Sequence, residues 1–377
     1  MKIGIVTFFC VPNYGAMLQA YSLWKFLEEH GHSVEFIDYP FGNSRRIPLW
    51  KCFLTRNISN WFDEVRKKLQ FFVRFEIVRF SDSFPRTKRV STFEKLLEFK
   101  EKYDAVIVGS DQMWNPTWFS GSYLPIVMLD FTADSVRRIS FAVSFGTKEW
   151  REDQNANKAG QLLQKFDAIS VREKSGLNLV LKLSGRNDAK WMIDPTLLHT
   201  IPFYEPLFSN EKYLSHRYIF TYMLDEWLNG ENIETVVQLV KDCKGIDEVH
   251  TDKIPVKGIL SPICKIFDVQ SKITIGKWLF EIANADFIVT NSFHGTVFSL
   301  LFHKPFLAIV VSGSMAGMNE RIMSLLTMVG LESRIVNIQD ITGCIDIINN
   351  AINWSVVDQK LDFERIKANV FINNVLM

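Results

Sequence analysis

The sequence has almost no net charge and no long apolar run. It contains 377 residues, with 43 Lys and Arg against 42 Asp and Glu, which gives a formal net charge of +1. This balance produces no overall field that attracts nucleic acid, so no nucleic-acid partner is expected. No run approaches the roughly 20 apolar residues that a membrane-spanning helix needs. With 47% hydrophobic and 23% charged residues, the composition is typical of a soluble globular protein.

Cysteine is scarce and scattered. The five cysteines form no CxxC pair and no cluster with histidine, so neither a structural zinc site nor a disulfide framework is indicated. The odd count fits a reducing cytoplasm. A GxGxxG fingerprint is also missing, which argues against dinucleotide binding. We therefore expect a cytoplasmic protein that uses no metal and no cofactor. The cysteines are Cys10, Cys52, Cys243, Cys264 and Cys344.

The first residues are apolar enough to resemble a signal peptide. Residues 3–11 carry only Lys2 as a positive flank and run into a Pro-Asn-Tyr-Gly turn without a small-residue cleavage site. We interpret them as a first β-strand. A helical face follows Asn13, and a second strand lies near residues 34–38. This βαβ opening predicts a parallel sheet.

Apolar runs alternate with helical patterns along most of the chain. Residues 1–200 are predicted to form a doubly wound, Rossmann-like α/β domain of about six strands. A proline-bearing linker follows, and residues 215–355 repeat the strand, turn and helix pattern as a second such domain. Residues 356–377 are expected to form a final helix that crosses back to the first domain. The predicted fold class is α/β, with two Rossmann-like domains.

An insertion at about residues 45–100 interrupts the first domain. Its residues 45–89 carry twelve basic and four acidic side chains, interleaved with nine aromatic ones. Basic and aromatic residues at helical spacing are typical of a helix that lies on a membrane surface. The alternative is an inserted helical pair whose aromatic side chains pack inward and whose charges are merely solvated. The pattern is compatible with both.

The stretch from Asn284 to Pro305 has the strongest functional pattern. It begins as a short apolar strand, turns sharply at residues 290–292 and continues as a helix. Ligands of open α/β sheets bind at the carboxyl ends of strands, and a helix N-terminus offers free N–H groups to an anion. His294 and Gly295 lie at that point. The glycine lets a ligand approach closely, and the histidine exchanges protons near neutral pH. Alternatively, the histidine only caps or packs.

Six sequence blocks, in order, resemble the polysaccharide pyruvyl transferase family, in the subgroup common in capsule and exopolysaccharide loci. They are NYGAMLQAY at 13–21, VGSDQMWN at 108–115, SFG at 144–146, SVREKSG at 170–176, DPT at 194–196 and TNSFHG at 290–295. The resemblance implies a fold similar to glycosyltransferase-B enzymes, with both domains facing a cleft. It also implies transfer of a pyruvyl group from phosphoenolpyruvate to two hydroxyls of a sugar, which forms a ketal and releases phosphate.

One position departs from the family pattern. Many relatives carry Arg-x-His at the end of the central strand, with the arginine thought to hold the donor. This chain has Ser292 in the arginine's place. Which residue neutralises the donor phosphate is therefore open. Backbone N–H groups at Asn13 and Gly15 are candidate hydrogen-bond donors to the sugar or the phosphate.

The implied chemistry needs an acid, a base for the sugar hydroxyl, and cations for the phosphate and carboxylate. His294 is the predicted acid or base, while Asp111 acts on the acceptor hydroxyl or caps its own turn. Arg172 and Arg321 are the predicted anion clamps. For Arg172, a surface salt bridge with Glu173 or its neighbours is the alternative. The predicted catalytic residues are His294 and Asp111, and the predicted substrate-binding residues are Asn13, Gly15, Arg172, Ser292, Gly295 and Arg321.

Two other functions would use the same architecture. One is a glycosyltransferase with a nucleotide-sugar donor, and the other is a non-catalytic sugar- or phosphate-binding protein, which the serine at position 292 makes more plausible. For the pyruvyl transferase, the expected partners are phosphoenolpyruvate and a sugar or lipid-linked oligosaccharide acceptor. The basic, aromatic insertion adds an expected peripheral contact with the inner face of the membrane.

Overall fold

The computed structural model describes residues 1–41, 49–54, 60–119, 121–150, 155–211, 216–224, 233–310, 319–339, 341 and 343–377. Within these residues the strands form two parallel sheets and one short antiparallel pair. Among the helices of these same ranges, none is both long and apolar enough to cross a membrane.

The first sheet contains six parallel strands in the order β2-β1-β3-β4-β5-β6. The strands are β1 Lys2–Val6, β2 Ser33–Phe36, β3 Ala105–Val108, β4 Arg137–Val143, β5 Ala168–Val171 and β6 Lys190–Trp191. The central strand β3 is apolar throughout because both of its faces are buried. Ala105 and Ile107 belong to one apolar cluster, whereas Val106 and Val108 belong to another. Helices therefore cover both faces of the sheet.

The second sheet contains five parallel strands in the order β13-β12-β11-β7-β8, and β9 pairs with β10 outside it. The strands are β7 Ile219–Tyr222, β8 Val249–Thr251, β9 Lys253–Ile254, β10 Ser271–Lys272, β11 Phe287–Thr290, β12 Phe306–Val310 and β13 Ile335–Asn337. Numbered along the chain, five strands of each sheet follow the same 2-1-3-4-5 order, which is a doubly wound order. The predicted α/β class with two Rossmann-like domains is confirmed. The boundaries placed at residues 200, 215 and 355 stay predictions.

Helices connect the strands. In the described residues they are α1 Tyr14–Glu29, α2 Leu49–Cys52, α3 Trp61–Val73, α4 Phe75–Val78, α5 Phe93–Leu96, α6 Leu124–Val127, α7 Ala156–Leu163, α8 Lys174–Ser184, α9 Ile201–Tyr204, α10 Glu234–Lys244, α11 Ser261–Ile266, α12 Ile275–Asn284, α13 Phe293–Leu301, α14 Glu320–Val329, α15 Cys344–Asn349 and α16 Trp354–Leu376. Asn13 caps α1 by accepting the Ala16 N–H at 3.1 Å, and Ser292 caps α13 by accepting the Gly295 N–H at 3.3 Å.

The carboxyl ends of the central strands of the two sheets meet. In each sheet the strand order reverses beside the first strand, between β1 and β3 in one and between β7 and β11 in the other, which opens a crevice there. Helix α1 begins after β1, helix α13 begins after β11, and the two helix starts are packed together at Gly15 and His294. Both crevices therefore open into one cleft.

A left-handed glycine closes helix α10 before strand β8. Gly245 has φ 61° and follows the last residue of the helix. The N–H of Ile246 then donates to the carbonyl oxygen of Lys241 at 3.3 Å, so Ile246 belongs to the end of α10. Strand β8 therefore starts only at Val249.

The insertion packs against both domains. Phe84 is buried in the first domain, where its ring stacks on Phe36 with the ring centres 5.3 Å apart. Phe62 of α3 stacks on Phe267 of the second domain at 4.6 Å. The packed-insertion interpretation therefore holds for Phe84, whereas Phe62 is 48% exposed in spite of its contact and Trp50 is 61% exposed. The basic residues Arg45, Arg46 and Arg56 lie outside the described residues.

Helix α16 runs back along the first domain. The Nε of Arg365 donates to the carbonyl oxygen of Leu197 at 2.8 Å. Near the end of the helix, Arg137 of β4 donates to the carbonyl oxygen of Val375, also at 2.8 Å. The last helix is therefore tied to the first sheet, although it follows the second sheet in the chain.

Candidate active site

A cavity of about 310 Å³ lies in the cleft, beyond the carboxyl ends of β1, β3 and β11. Both domains and the insertion contribute to its wall. Five of the eight predicted site residues line it, namely Asn13, Asp111, Ser292, His294 and Arg321. The other three, Gly15, Arg172 and Gly295, are packed behind the wall.

His294 lies in the first turn of α13, almost buried, with part of its ring in the cavity wall. Its Nε2 is 3.6 Å from Oδ2 of Asp194, which is close enough for charge attraction but too long for a hydrogen bond. Within the part of the chain that the structure describes, this buried Nε2 has no hydrogen-bond partner. Such a nitrogen is uncommon in a folded protein, because burial without a partner lowers stability.

Asp194 is the polar centre beneath the cavity. Its Oδ2 accepts hydrogen bonds from Oγ of Ser110 at 2.6 Å and from a terminal nitrogen of Arg172 at 2.7 Å. Its Oδ1 accepts the backbone N–H of Thr196 at 3.0 Å and the hydroxyl of the same residue at 2.7 Å. Burial alone raises the pKa of this carboxyl, but attraction to His294 and Arg172 outweighs burial and holds the pKa well below its usual range. Asp194 is therefore an anion.

Arg172 follows β5 and lies behind the cavity wall. Its side chain is 1% exposed, and one terminal nitrogen contacts both Asp194 and, at 3.2 Å, the hydroxyl of Ser110. The guanidinium carbon lies 4.3 Å from the ring centre of Phe293, and that ring forms part of the wall. The geometry therefore matches neither a direct donor clamp nor the alternative salt bridge with Glu173. Arg172 instead fixes and neutralises Asp194.

Arg321, at the start of α14, is the predicted cation that does reach the cavity. Its guanidinium carbon lies 5.9 Å from the ring centre of Phe293. Burial and, to a lesser extent, repulsion from Arg172 lower the pKa of Arg321 to about 10. The side chain still carries its charge at neutral pH, so it contributes a desolvated positive charge to the wall.

Asp111 lies just beyond β3 in the left-handed region, with φ 77°. Its Oδ1 accepts the backbone N–H of Gln112 at 2.8 Å, which is the local cap offered as one alternative from the sequence. The residue also lines the cavity, and Oδ1 is 3.9 Å from a terminal nitrogen of Arg172. The two interpretations are therefore compatible, because one carboxylate caps its turn and also lines the cavity.

Glu173 is a buried structural anion. Its Oε1 accepts the backbone N–H groups of Phe145 at 2.6 Å and Gly146 at 2.9 Å, and the hydroxyl of Ser144 at 3.1 Å. These bonds hold the turn that follows β4. The SFG block is thus positioned by the residue next to Arg172, and none of its three residues lines the cavity.

Two predicted glycines are required by close packing. A Cβ at Gly15 would overlap the imidazole of His294 at Nδ1 and Cγ, so only glycine lets α1 start against this ring. A Cβ at Gly295 would overlap Oγ1 of Thr290, because α13 begins directly above β11. The space beside Gly295 is therefore filled by protein, which differs from the expectation that a ligand approaches there.

Arg74 and Asp194 are the site residues that the sequence did not identify. Arg74 lies between α3 and α4 of the insertion and lines the cavity. It is one of twelve basic residues in segment 45–89, and no spacing distinguishes it from the others. Asp194 is the first residue of the DPT block after β6, and membership of that block was the one sequence feature that could have identified it as a site residue. The insertion thus adds a positive charge to the site.

The architecture is similar to solved structures of two-domain sugar-nucleotide proteins. A putative UDP-N-acetylglucosamine 2-epimerase from Listeria monocytogenes has a TM-score of 0.52 at 10% identity, over 99% of this chain and 95% of that chain. Arabidopsis thaliana UGT89C1, complexed with UDP-L-rhamnose, has a TM-score of 0.52 at 8% identity, over 100% of this chain and 99% of that chain. S. aureus MnaA, in a co-structure with UDP, has a TM-score of 0.50 at 11% identity, over 100% of this chain and 97% of that chain. At such identities the likeness shows the fold alone, which is of the glycosyltransferase-B type.

The family is shown by sequence. The sequence model of the polysaccharide pyruvyl transferase family matches residues 13–313, which is most of the chain and spans the central strands of both sheets. The protein belongs to this family of transferases, and the resemblance carried by the six blocks is confirmed. No curated protein sequence matches the chain.

We expect Gly15→Ala to destabilise the protein, because the added methyl group overlaps the ring of His294. Overpacking of this kind costs about 1–3 kcal/mol of unfolding free energy. In a His294→Ala background the ring is absent. There the same change should be neutral or stabilising, since alanine is favoured over glycine within a helix by about 0.5–1 kcal/mol. Denaturant unfolding of the four proteins measures this double-mutant cycle. Equal costs in both backgrounds would contradict the contact.

Proposed function

We propose that this protein transfers a pyruvyl group from phosphoenolpyruvate to two hydroxyls of one sugar in a cell-surface polysaccharide precursor. The products are a pyruvyl ketal and inorganic phosphate. The observation that carries the proposal is the cavity, where a carboxylate-paired histidine and two arginines meet between the domains. Membership of the family supports the reaction class.

The reaction adds one proton to carbon and removes two from oxygen. Protonation of the CH₂ carbon of phosphoenolpyruvate makes the neighbouring carbon oxocarbenium-like, and the first sugar hydroxyl attacks it while losing its proton. Departure of phosphate breaks a C–O bond and regenerates the electrophilic carbon, which the second hydroxyl attacks. The second hydroxyl proton leaves with the base or the phosphate. The site must therefore supply an acid, a base and cations for the phosphate and carboxylate.

His294 is assigned as the acid. Its Nε2 lies 3.6 Å from Oδ2 of the anionic Asp194, which orients the ring. Proton exchange with the donor is assigned to the part of the ring that lines the cavity. The opposite side of the ring packs against Gly15 at Nδ1 and Cγ. Asp111, the cavity-lining carboxylate, is assigned as the base for the sugar hydroxyl.

Arg321 and Arg74 are assigned to the donor's phosphate and carboxylate. Both line the cavity, whereas Arg172 is committed to Asp194. Guanidinium groups suit these anions because their planar fork donates two parallel hydrogen bonds. With Ser292 in place of the family's arginine, a cation from the insertion compensates for the one missing from the central stretch. Ser292 retains a helix-capping role.

Donor binding separates this proposal from its alternatives. A nucleotide-sugar glycosyltransferase would be stabilised against heat by UDP- or GDP-sugars, whereas a pyruvyl transferase would be stabilised by phosphoenolpyruvate. Phosphate release in the presence of acceptor separates either enzyme from a non-catalytic binding protein. A melting-point shift with nucleotide sugars alone would overturn the proposal.

A basic, apolar surface supports contact with the membrane. Its exposed apolar side chains come from the insertion and from the second domain, and they are Trp50, Leu54, Trp61, Ile259 and Ile266. Ile259 is 97% exposed, which is unusual for a large aliphatic side chain without an apolar partner. The two parts are joined, since the ring of Trp61 lies 5.7 Å from that of Phe267, next to Ile266.

Lysines surround these apolar residues. The exposed ones on the same segments are Lys51, Lys67, Lys257 and Lys265. An anionic lipid surface suits this arrangement, because the apolar side chains can enter the headgroup region while the lysines contact the lipid charges. Each basic residue near such a surface contributes about 1 kcal/mol of binding free energy. We therefore propose peripheral binding to the cytoplasmic leaflet, where a lipid-linked oligosaccharide acceptor is presented to the cleft.

We expect His294→Ala to lower turnover by at least about 100-fold, because loss of a positioned acid usually costs 10² to 10⁴ in rate. His294→Gln keeps a hydrogen-bond donor but cannot transfer a proton, so it should be equally impaired. Phosphate release and a mass gain of one pyruvyl ketal on a lipid-linked oligosaccharide report activity. His303→Ala is the control, because that ring lies just beyond the far end of α13, where it packs on Trp354.

Restored activity in His294→Gln would assign positioning, rather than proton transfer, to this side chain. Near-normal turnover in both variants would remove His294 from the mechanism. Melting curves of all three variants show whether a loss of activity reflects a loss of folding.

We expect Arg74→Ala to lower kcat/KM for phosphoenolpyruvate by about 10–100-fold, mainly through KM. A hydrogen bond to a charged group contributes about 1.5–3 kcal/mol, and 1.4 kcal/mol is a factor of ten. Arg79→Ala is the matched control, since Arg79 is exposed on the same segment and pairs with Glu76 at 3.0 Å. Steady-state phosphate release measures both. If the two variants behave alike, the insertion does not contact the donor.

We expect the protein to bind liposomes that contain anionic lipid, with binding that weakens as salt is raised. Replacing Ile259 and Ile266 by Glu should abolish cosedimentation, because both the apolar contact and the charge are made unfavourable. The control replaces Ile366 and Val370 by Glu, two apolar residues of α16 that are also more than half exposed. Equal binding to neutral liposomes, or equal losses in both double variants, would refute the lipid contact.

A further inference from the structure

A second cluster of polar side chains lies away from the cavity, at the amino-terminal end of the second sheet. His216 precedes β7, Glu248 precedes β8 and His250 lies within β8. The Oε1 of Glu248 is 3.1 Å from Nε2 of His216 and 2.8 Å from Nε2 of His250. One ligand atom from each residue lies within 4.8 Å of the other two. Two imidazoles and a carboxylate therefore converge on one point.

The separations fit a small metal ion. Tetrahedral zinc binds imidazole nitrogen at about 2.0–2.1 Å and carboxylate oxygen at about 2.0–2.2 Å, so neighbouring ligand atoms lie about 3.4 Å apart. The observed 2.8 and 3.1 Å differ from this by a few tenths of an ångström. Nitrogen-rich donor sets of this kind suit zinc, whereas magnesium and calcium prefer oxygen ligands alone.

A fourth residue orients the more buried histidine. The Nδ1 of His250 lies 2.8 Å from Oε2 of Glu281 on α12, which leaves Nε2 directed at Glu248 and His216. A carboxylate behind a ligand histidine fixes the tautomer and raises the basicity of the metal-binding nitrogen. The ring of Tyr218 stacks on His250 with the centres 4.1 Å apart, which holds its plane. An ordinary surface ion pair does not need this support.

We propose that His216, Glu248 and His250 bind one Zn²⁺ ion, with water in the fourth position and Glu281 as the orienting carboxylate. The ion would join the segment that enters β7 to the edge strand β8. Its role is structural, because the cluster lies at the opposite end of β7 from Tyr222, which leads towards the cavity. The absence of Cys/His motifs from the sequence does not argue against it, since strand pairing brings together residues 32 and 34 positions apart.

The test uses full-length, chelator-treated protein without a polyhistidine tag. Competition with a chromogenic zinc chelator should show one Zn²⁺ per chain, and zinc should raise the melting temperature. His216→Ala should abolish both effects with little risk to folding, because that side chain is 45% exposed. Glu281→Gln should weaken affinity about 10–100-fold, as loss of an orienting carboxylate does.

His303→Ala is the matched control, because His303 forms an exposed histidine–carboxylate pair with Asp358 but has no second histidine beside it. It should bind zinc like the unchanged protein, and Mg²⁺ should have no effect on either. An adventitious ion only would appear as weak binding that His216→Ala leaves intact, and this result would overturn the proposal. Unchanged affinity in Glu281→Gln would overturn the orienting role.

Discussion

The site depends on one buried carboxylate. Asp194 is 1% exposed, and such a charge is tolerated in a folded protein only when partners replace the water it has lost. Ser110 after β3, Arg172 after β5 and His294 at the start of α13 supply these partners from three separate elements and from both domains. The anion therefore fixes the relative positions of the elements that form the cavity floor. Removing it would leave the buried guanidinium of Arg172 without its hydrogen-bonded carboxylate.

The strand order explains why these elements meet. In each sheet the 2-1-3-4-5 order opens a crevice beside the first strand, and the helices after β1 and β11 begin there. Two such crevices form one cleft only if the helix starts pack closely. Gly15 permits this contact, because any side chain at that position would overlap His294. The close packing of the start of α1 against the start of α13 thus determines the position of the His294 imidazole.

Local patterns predicted much of this arrangement. Polar residues at strand ends located Asn13, Asp111 and His294, because the carboxyl ends of parallel strands share one edge of a sheet. The roles of residues that contact neighbouring elements could not be predicted from the sequence. Arg172 reaches Asp194 across neighbouring strand ends, and Arg74 enters the cavity from an insertion without a recognisable motif. Periodicity identifies the exposed and buried faces of one element, whereas these contacts depend on how several elements pack.

The cations of the cavity wall suit an anionic donor. Burial and repulsion from Arg172 lower the pKa of Arg321 to about 10, so this guanidinium is destabilised in the folded protein. The negative charge of Asp194 is shared with Arg172 and His294, whereas Arg321 and Arg74 line the cavity. In the reaction we propose, hydrogen bonds from Arg321 and Arg74 replace the water that the donor's phosphate and carboxylate lose on binding. The same two guanidinium groups stabilise the negative charge of the phosphate as it leaves, so one arrangement serves both binding and reaction.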